Sequence, residues 1–119
     1  LGVAYLEQGL WEVAIDEFQI ASADNSRALD CFSLIGQCYI QKGEHEEARS
    51  WLEKALALAK DGDRAQFTLK YELACLYADT GERDKALILL REVEKWDPKF
   101  RDVAKRIKAV SKAASQRGA

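Results

Sequence analysis

The sequence predicts an all-α fold, a solenoid of antiparallel helix pairs, and three observations carry that prediction. One residue pattern recurs. Leu1-Gly2, Tyr5, Gly9, Ala14, Phe18 and Ala21 return 34 residues later as Ile35-Gly36, Tyr39, Gly43, Ala48, Leu52 and Ala55. A looser copy, Leu73-Ala74, Tyr77, Gly81, Ala86, Leu90 and Val93, follows at a shift of 38. Self-similarity at this period marks a repeat architecture. The composition is the second observation: 48% hydrophobic residues, one Pro and many Ala, Leu, Glu and Lys favour helix and leave little room for long loops. Third, apolar residues fall at i, i+3, i+4, i+7, and no stretch alternates with period two, so strands are not expected.

The elements follow in order. Residues 1–8 read as the last turns of a helix, so the natural chain is expected to extend further at its N-terminus, and Gly9 punctuates. Residues 11–23 carry Trp11, Ala14, Ile15, Phe18 and Ala21 on one face. Asp24-Asn25-Ser26 is turn and cap chemistry. The next helix spans about 27–41 and stops at Lys42-Gly43, where Gly can take the left-handed conformation that closes a helix. A helix from about Glu44 has Glu44, Glu46 and Glu47 at its positive end and the stripe Ala48, Leu52, Ala55, Leu56, Ala59. Asp61-Gly62-Asp63 stops it, with Asp63 as cap for a helix over 64–79 that ends at Thr80-Gly81. Another helix runs from 82 to 96, with Trp96 exposed at its end. Asp97-Pro98 starts a last helix over 99–115, whose stripe is Phe100, Val103, Ala104, Ile107, Val110 and Ala114. So clear a stripe docks on something, and a cap on the preceding pair is the expected role. The longer third period places an extra turn at 57–64, read as a lengthened helix end.

Charge is unevenly spread. Residues 1–98 hold 11 Lys and Arg against 19 Asp and Glu, whereas residues 99–119 hold 7 against the single Asp102. A basic tail can bind nucleic acid, but the acidic body and the lack of interleaved aromatics argue against it. Three cysteines without C-x-x-C spacing read as small buried thiols in a reducing compartment rather than a disulfide framework or zinc site. His45, the lone histidine, reads as a solvated surface residue. No phosphate-binding glycine motif, metal ligand set or acid/base pair is visible, so neither an enzyme nor a cofactor is expected.

Short links force neighbouring helices antiparallel, and such helices approach closely only where side chains are small. Gly2, Gly36 and Ala74 meet that need on the first helix of each pair, and Ala14, Ala48 and Ala86 on the second. The order Leu-Gly-x-x-Tyr, then Gly, Ala, Phe, Ala and a closing Asp-Pro resembles the tetratricopeptide repeat (TPR) over residues 1–98. The resemblance implies a right-handed superhelix: repeats at 1–26, 27–62 and 63–98, a capping helix at 99–115 and a tail at 116–119, together one domain. Departures are Lys70 where Phe32 stands in the previous copy, Ala74 for Gly, Val93 for Ala, and Lys60 where the family often has Pro.

The resemblance also implies a protein or peptide partner in a concave groove lined by the first helices. The expected groove residues are Val3, Leu6 and Glu7 in the first copy. In the second they are Asp30, Ser33, Gln37, Ile40 and Gln41, and in the third Thr68, Tyr71, Glu72, Cys75 and Asp79. One branch of the family grips a C-terminal carboxylate with cationic residues. The matching Val3, Ser33, Gln37, Tyr71 and Glu72 are not cationic, so a peptide of mixed apolar and basic character is expected instead. The expected protein is a scaffold within a larger bacterial protein. The alternative is a homo-oligomerisation module using Val3, Leu6 and Leu10, with nucleic-acid contact through the last helix a weaker third. There is no 18-residue apolar run for a membrane span. The expected compartment is the cytoplasm, with the periplasm left open because the chain begins inside a repeat.

Overall fold

The computed structural model describes residues 9–118, the side chains of Asn25 and of residues 113–118 apart. Among the described residues there are six α-helices, one 3-10 turn and no strand. They are α1 (Trp11–Ala21), the 3-10 turn Asn25–Arg27, α2 (Ala28–Lys42), α3 (His45–Leu58), α4 (Arg64–Asp79), α5 (Arg83–Trp96) and α6 (Val103–Gly118). The chain divides into two compact units, Leu1–Ala59 and Lys60–Ala119.

In the first unit α2 packs against both α1 and α3. Ala14, Ile15, Phe18, Cys31, Ile35 and Cys38 form the buried core, with Trp11, Phe32 and Trp51 at its margin. Small residues set the closest approach. A Cβ on Gly36 would lie 2.7 Å from Leu52 Cδ2, and Ala48, Leu52 and Ala55 are fully buried. Gly43 ends α2 at φ +81, with Gly43 N–H bonding Ile40 O at 3.0 Å and Glu44 N–H bonding Tyr39 O at 2.9 Å. This is the six-to-one and five-to-two pairing that satisfies the last carbonyls of a helix. Gly81 closes α4 in the same way at φ +88.

In the second unit α5 packs against α4 and α6. Its core joins Tyr71, Ala74, Ala86, Leu90, Val93, Phe100, Val103 and Val110. Trp96, expected exposed, is half-buried: it stacks on Phe67 with centroids 4.6 Å apart and tilts against Phe100 at 5.6 Å. Lys70, the residue that departs from the repeat, extends to Glu92 at 2.9 Å and covers the Phe67 ring. An ion pair thus stands where the preceding copy has the Phe32–Trp51 ring contact at 5.6 Å.

Two boundaries and one cap differ from expectation. The extra residues near 57–64 do not prolong α3, which stops at Leu58. Ala59 turns extended (ψ 141), Gly62 takes φ +84, and α4 begins at Arg64. Asp63 occupies the N-cap position of α4 but its side chain makes no capping bond there, while Gln66 accepts the Gly62 N–H at 2.8 Å. The last helix starts at Val103 rather than at 99. Asp97 accepts the Lys99 N–H at 3.0 Å, a local turn that competes with helix, and Arg101 then takes φ +45.

Candidate functional site

Val3, Leu6 and Glu7 lie outside the described residues. In the first unit the expected residues follow one stripe of α2, at Asp30, Ser33, Gln37, Ile40 and Gln41, because residues three, four and seven apart share a helix face. Asp30 and Gln41 are exposed, and Ser33, Gln37 and Ile40 are half-buried. The bulk of α2 turns the other way into the core, through Cys31, Ile35 and Cys38.

Some of these polar groups are already committed. Ser33 Oγ donates to Leu29 O on its own helix at 3.0 Å. Gln41 Oε1 accepts the Trp11 Nε1–H from α1 at 2.7 Å, which holds the amide in one orientation. Lys42 beside it reaches Glu12 at 3.4 Å and Glu44 at 3.7 Å. Among the described residues no hydrogen bond or ion pair engages Asp30 or Gln37. The stripe therefore presents a carboxylate, a free amide and the apolar Ile40 on one helix face.

In the second unit Thr68, Glu72 and Cys75 are half-buried, and Asp79 is exposed at the end of α4. Tyr71 is the exception. Expected on an open face, it is 6% exposed. Phe100 packs edge-on to its ring at 5.5 Å, and its hydroxyl donates to the carboxylate of Asp102. Arg101 covers the ring at 5.3 Å, and Arg106 Nε lies 3.7 Å from the same Asp102. The segment entering α6 thus covers the middle of the α4 stripe. Burial, with the hydrogen bond to Asp102, pushes the Tyr71 hydroxyl up to about 12. That same bond from Tyr71, aided by Arg106, holds the Asp102 carboxyl below its ordinary value.

Sequence reasoning missed this cluster and the Trp11–Gln41 bond. A signal for the first existed: Asp102 is the one acidic residue in an otherwise basic segment, and such a residue asks for a partner. Burial pushes the thiols of Cys31, Cys38 and Cys75 upward, and all three are free. His45, expected to be solvated, is half-buried at the start of α3, with Nδ1 shielded and without a hydrogen-bond partner. Among the described residues no cluster of His, Cys, Asp and Glu could hold a metal ion, and no helix is long and apolar enough to cross a membrane. Shallow depressions open on the surface of the described residues. One of about 430 Å³ lies at the start of α1 between Leu10, Val13 and Lys42, and one of about 230 Å³ lies among Tyr77, Lys85, Ile88 and Leu89.

A family profile, the tetratricopeptide repeat, matches residues 31–95. No curated protein matches the chain in sequence. Among solved structures, the chain is similar to the first TPR of Spaghetti (RPAP3) bound to the HSP90 peptide SRMEEVD, with a TM-score of 0.82 at 17% identity over 96% of this chain and 87% of that one. It is similar to MamA, with a TM-score of 0.82 at 22% identity over 99% of this chain and 67% of MamA. A third is the Yersinia enterocolitica type III secretion chaperone SycD in complex with a peptide of the translocator YopD, at 0.78 and 17% identity over 100% of this chain and 90% of that one. At these identities the likeness is one of fold: an all-α helical repeat.

Proposed function

Because the chain belongs to the tetratricopeptide repeat family, we propose that it is a protein-interaction scaffold that holds a peptide or protein segment against the outward stripe of α2. The observation that carries this reading is the state of that stripe. Asp30 and Gln37 have no partner within the described residues, and Ile40 lies in line with them. A carboxylate, a free amide and an apolar side chain on one rigid helix fit a ligand of mixed basic and apolar character. Thr68, Glu72, Cys75 and Asp79 supply the corresponding stripe of the next repeat, with Tyr71 withdrawn from it. We place the repeats at 1–26, 27–62 and 63–98, with the last helix as a cap.

The peptide bound by one of the similar structures bears on the ligand by contrast. SRMEEVD is acidic and is held by the first TPR of Spaghetti (RPAP3). Ser33, Gln37 and Glu72 offer no cation to an acidic C-terminus, and so this chain should not capture such a peptide. A binding role fits the family. Nucleic acid is not the proposed ligand, and a cytoplasmic location is the working assumption.

The test is affinity capture from a cell extract with the whole chain and with Asp30→Arg/Gln37→Arg, both checked for helical circular dichroism. Proteins retained by the wild type and lost by the variant support the reading. An identical set of captured proteins with both would move the site off α2.

A further inference from the structure

The first and last of the described helices carry exposed faces that are opposite in charge. On α1 the core side is Ala14, Ile15 and Phe18, and the exposed side is Glu12, Val13, Asp16, Gln19 and Ile20. Their spacing, i, i+1, i+4, i+7, i+8, makes one continuous stripe. Val13 and Ile20 are 43% and 72% exposed, so its apolar edge faces water. On α6 the core side is Val103, Ile107 and Val110, and the exposed side is Ala104, Lys105, Lys108, Ala109 and Lys112. This is again one stripe, with cations along its centre and alanines on both flanks. Among the described residues no ion pair engages Lys105, Lys108 or Lys112, or Asp16 on α1.

The two stripes match in spacing as well as in sign. Glu12 and Asp16 stand at i, i+4, and so do Lys108 and Lys112. Alanines beside the lysines let a second helix approach, and lysine stems are apolar surface on which Val13 and Ile20 can rest. The bulk charge repeats the pattern, with an acidic excess over residues 1–98 and a basic excess over 99–119. A membrane surface would need large apolar side chains beside the lysines, and α6 exposes only alanine there. A nucleic acid would meet the acidic remainder of the chain.

We propose that the α6 stripe of one copy docks on the α1 stripe of a second copy, head to tail. Such a contact joins unlike surfaces, so each copy can take part in two of them, one through α1 and one through α6. The α2 stripe takes no part, and this inference stands or falls separately from the ligand reading. The contact is rich in exposed charge, so association is weak and falls with salt.

The test is sedimentation velocity of the whole chain across concentrations up to about 1 mM, where contacts of only about 4 kcal/mol are populated, at low and high salt. The expected result is an average mass that rises with concentration and drops as salt is added. Lys108→Glu/Lys112→Glu alone, and Glu12→Lys/Asp16→Lys alone, should each weaken association by roughly tenfold or more. An equimolar mixture of the two variants restores it, because each then offers the other a complementary stripe. All these residues are on the surface, so both variants keep their helical circular dichroism. A strict monomer at low salt overturns the proposal, as does a mixture that fails to recover association. So does a Lys108→Glu/Lys112→Glu chain that loses affinity for a duplex DNA probe while its self-association is unchanged.

Discussion

Gly36 and Gly43 are both repeat glycines, and they are needed for different reasons. Gly36 has helical backbone but no space: an added Cβ would meet Leu52 at 2.7 and 2.8 Å, and Leu52 is fully buried and cannot swing away. Gly43 has space, with nothing within 4 Å, but its φ of +81 penalises any side chain. Gly36→Ala should therefore cost about 1–3 kcal/mol by overpacking, and Leu52→Val should recover part of that loss in the double variant. Gly43→Ala should cost about 1 kcal/mol through its backbone alone, and Leu52→Val should give it no recovery. Thermal melts of the four proteins decide this, with each 1 kcal/mol worth roughly 2–8 °C in a domain of this size. Both positions were legible from the repeat: Gly43 recurs as Gly9 and Gly81, and Gly36 answers to Gly2 and the small Ala74. Their separate causes were not legible, since clearance and φ exist only in three dimensions.

At the scale of the element, the last helix is held by Phe100 and by the Tyr71–Asp102 bond. Asp102 has a folded pKa below its ordinary 3.8. Its contribution is complete above that value and is lost as pH falls through the lowered one. Tyr71 has a folded pKa raised from 10.0 to about 12. Its contribution is complete below pH 10 and is lost as pH rises from 10 toward 12. Docking of α6 should hold between those limits and weaken beyond each. Melting temperature against pH, compared between wild type and Tyr71→Phe, isolates the alkaline arm, which should be shallower in the variant. The amphipathic stripe of α6 was readable from Val103, Ile107 and Val110, and so was a capping role. Its late start was hidden, because the Asp97 turn and the left-handed Arg101 are local alternatives to helix that periodicity does not register. The loss of Tyr71 from the open face was hidden too. The chain that covers it comes about thirty residues later.

On the scale of the whole molecule, the two units hold separate buried cores. Repeat proteins lose structure by unit rather than all at once when one unit is weakened. Phe100→Ala empties part of the second core and should cost about 3–5 kcal/mol. Amide exchange should then speed up in α4, α5 and α6 by more than in α2 and α3. Equal acceleration in all five helices would show a single cooperative block. The stacking of helices into pairs was readable at this scale from the 34-residue shift. The stripe proposed for the ligand keeps its register on α2, with Asp30, Gln37 and Ile40 along one face of the helix.

The three cysteines, described above as buried or half-buried free thiols, give the protein an internal timing device. Cys31 and Cys38 sit in the core of the first unit, and Cys75 sits beside Tyr71 in the second. A thiol reagent reaches each only when its surroundings open, so labelling rates clock the opening of each unit in the unmodified chain. Cys75, the more accessible, should react first, and Phe100→Ala should speed it further while leaving Cys38 behind. Mass spectrometry of the labelled peptides reads both clocks from one sample.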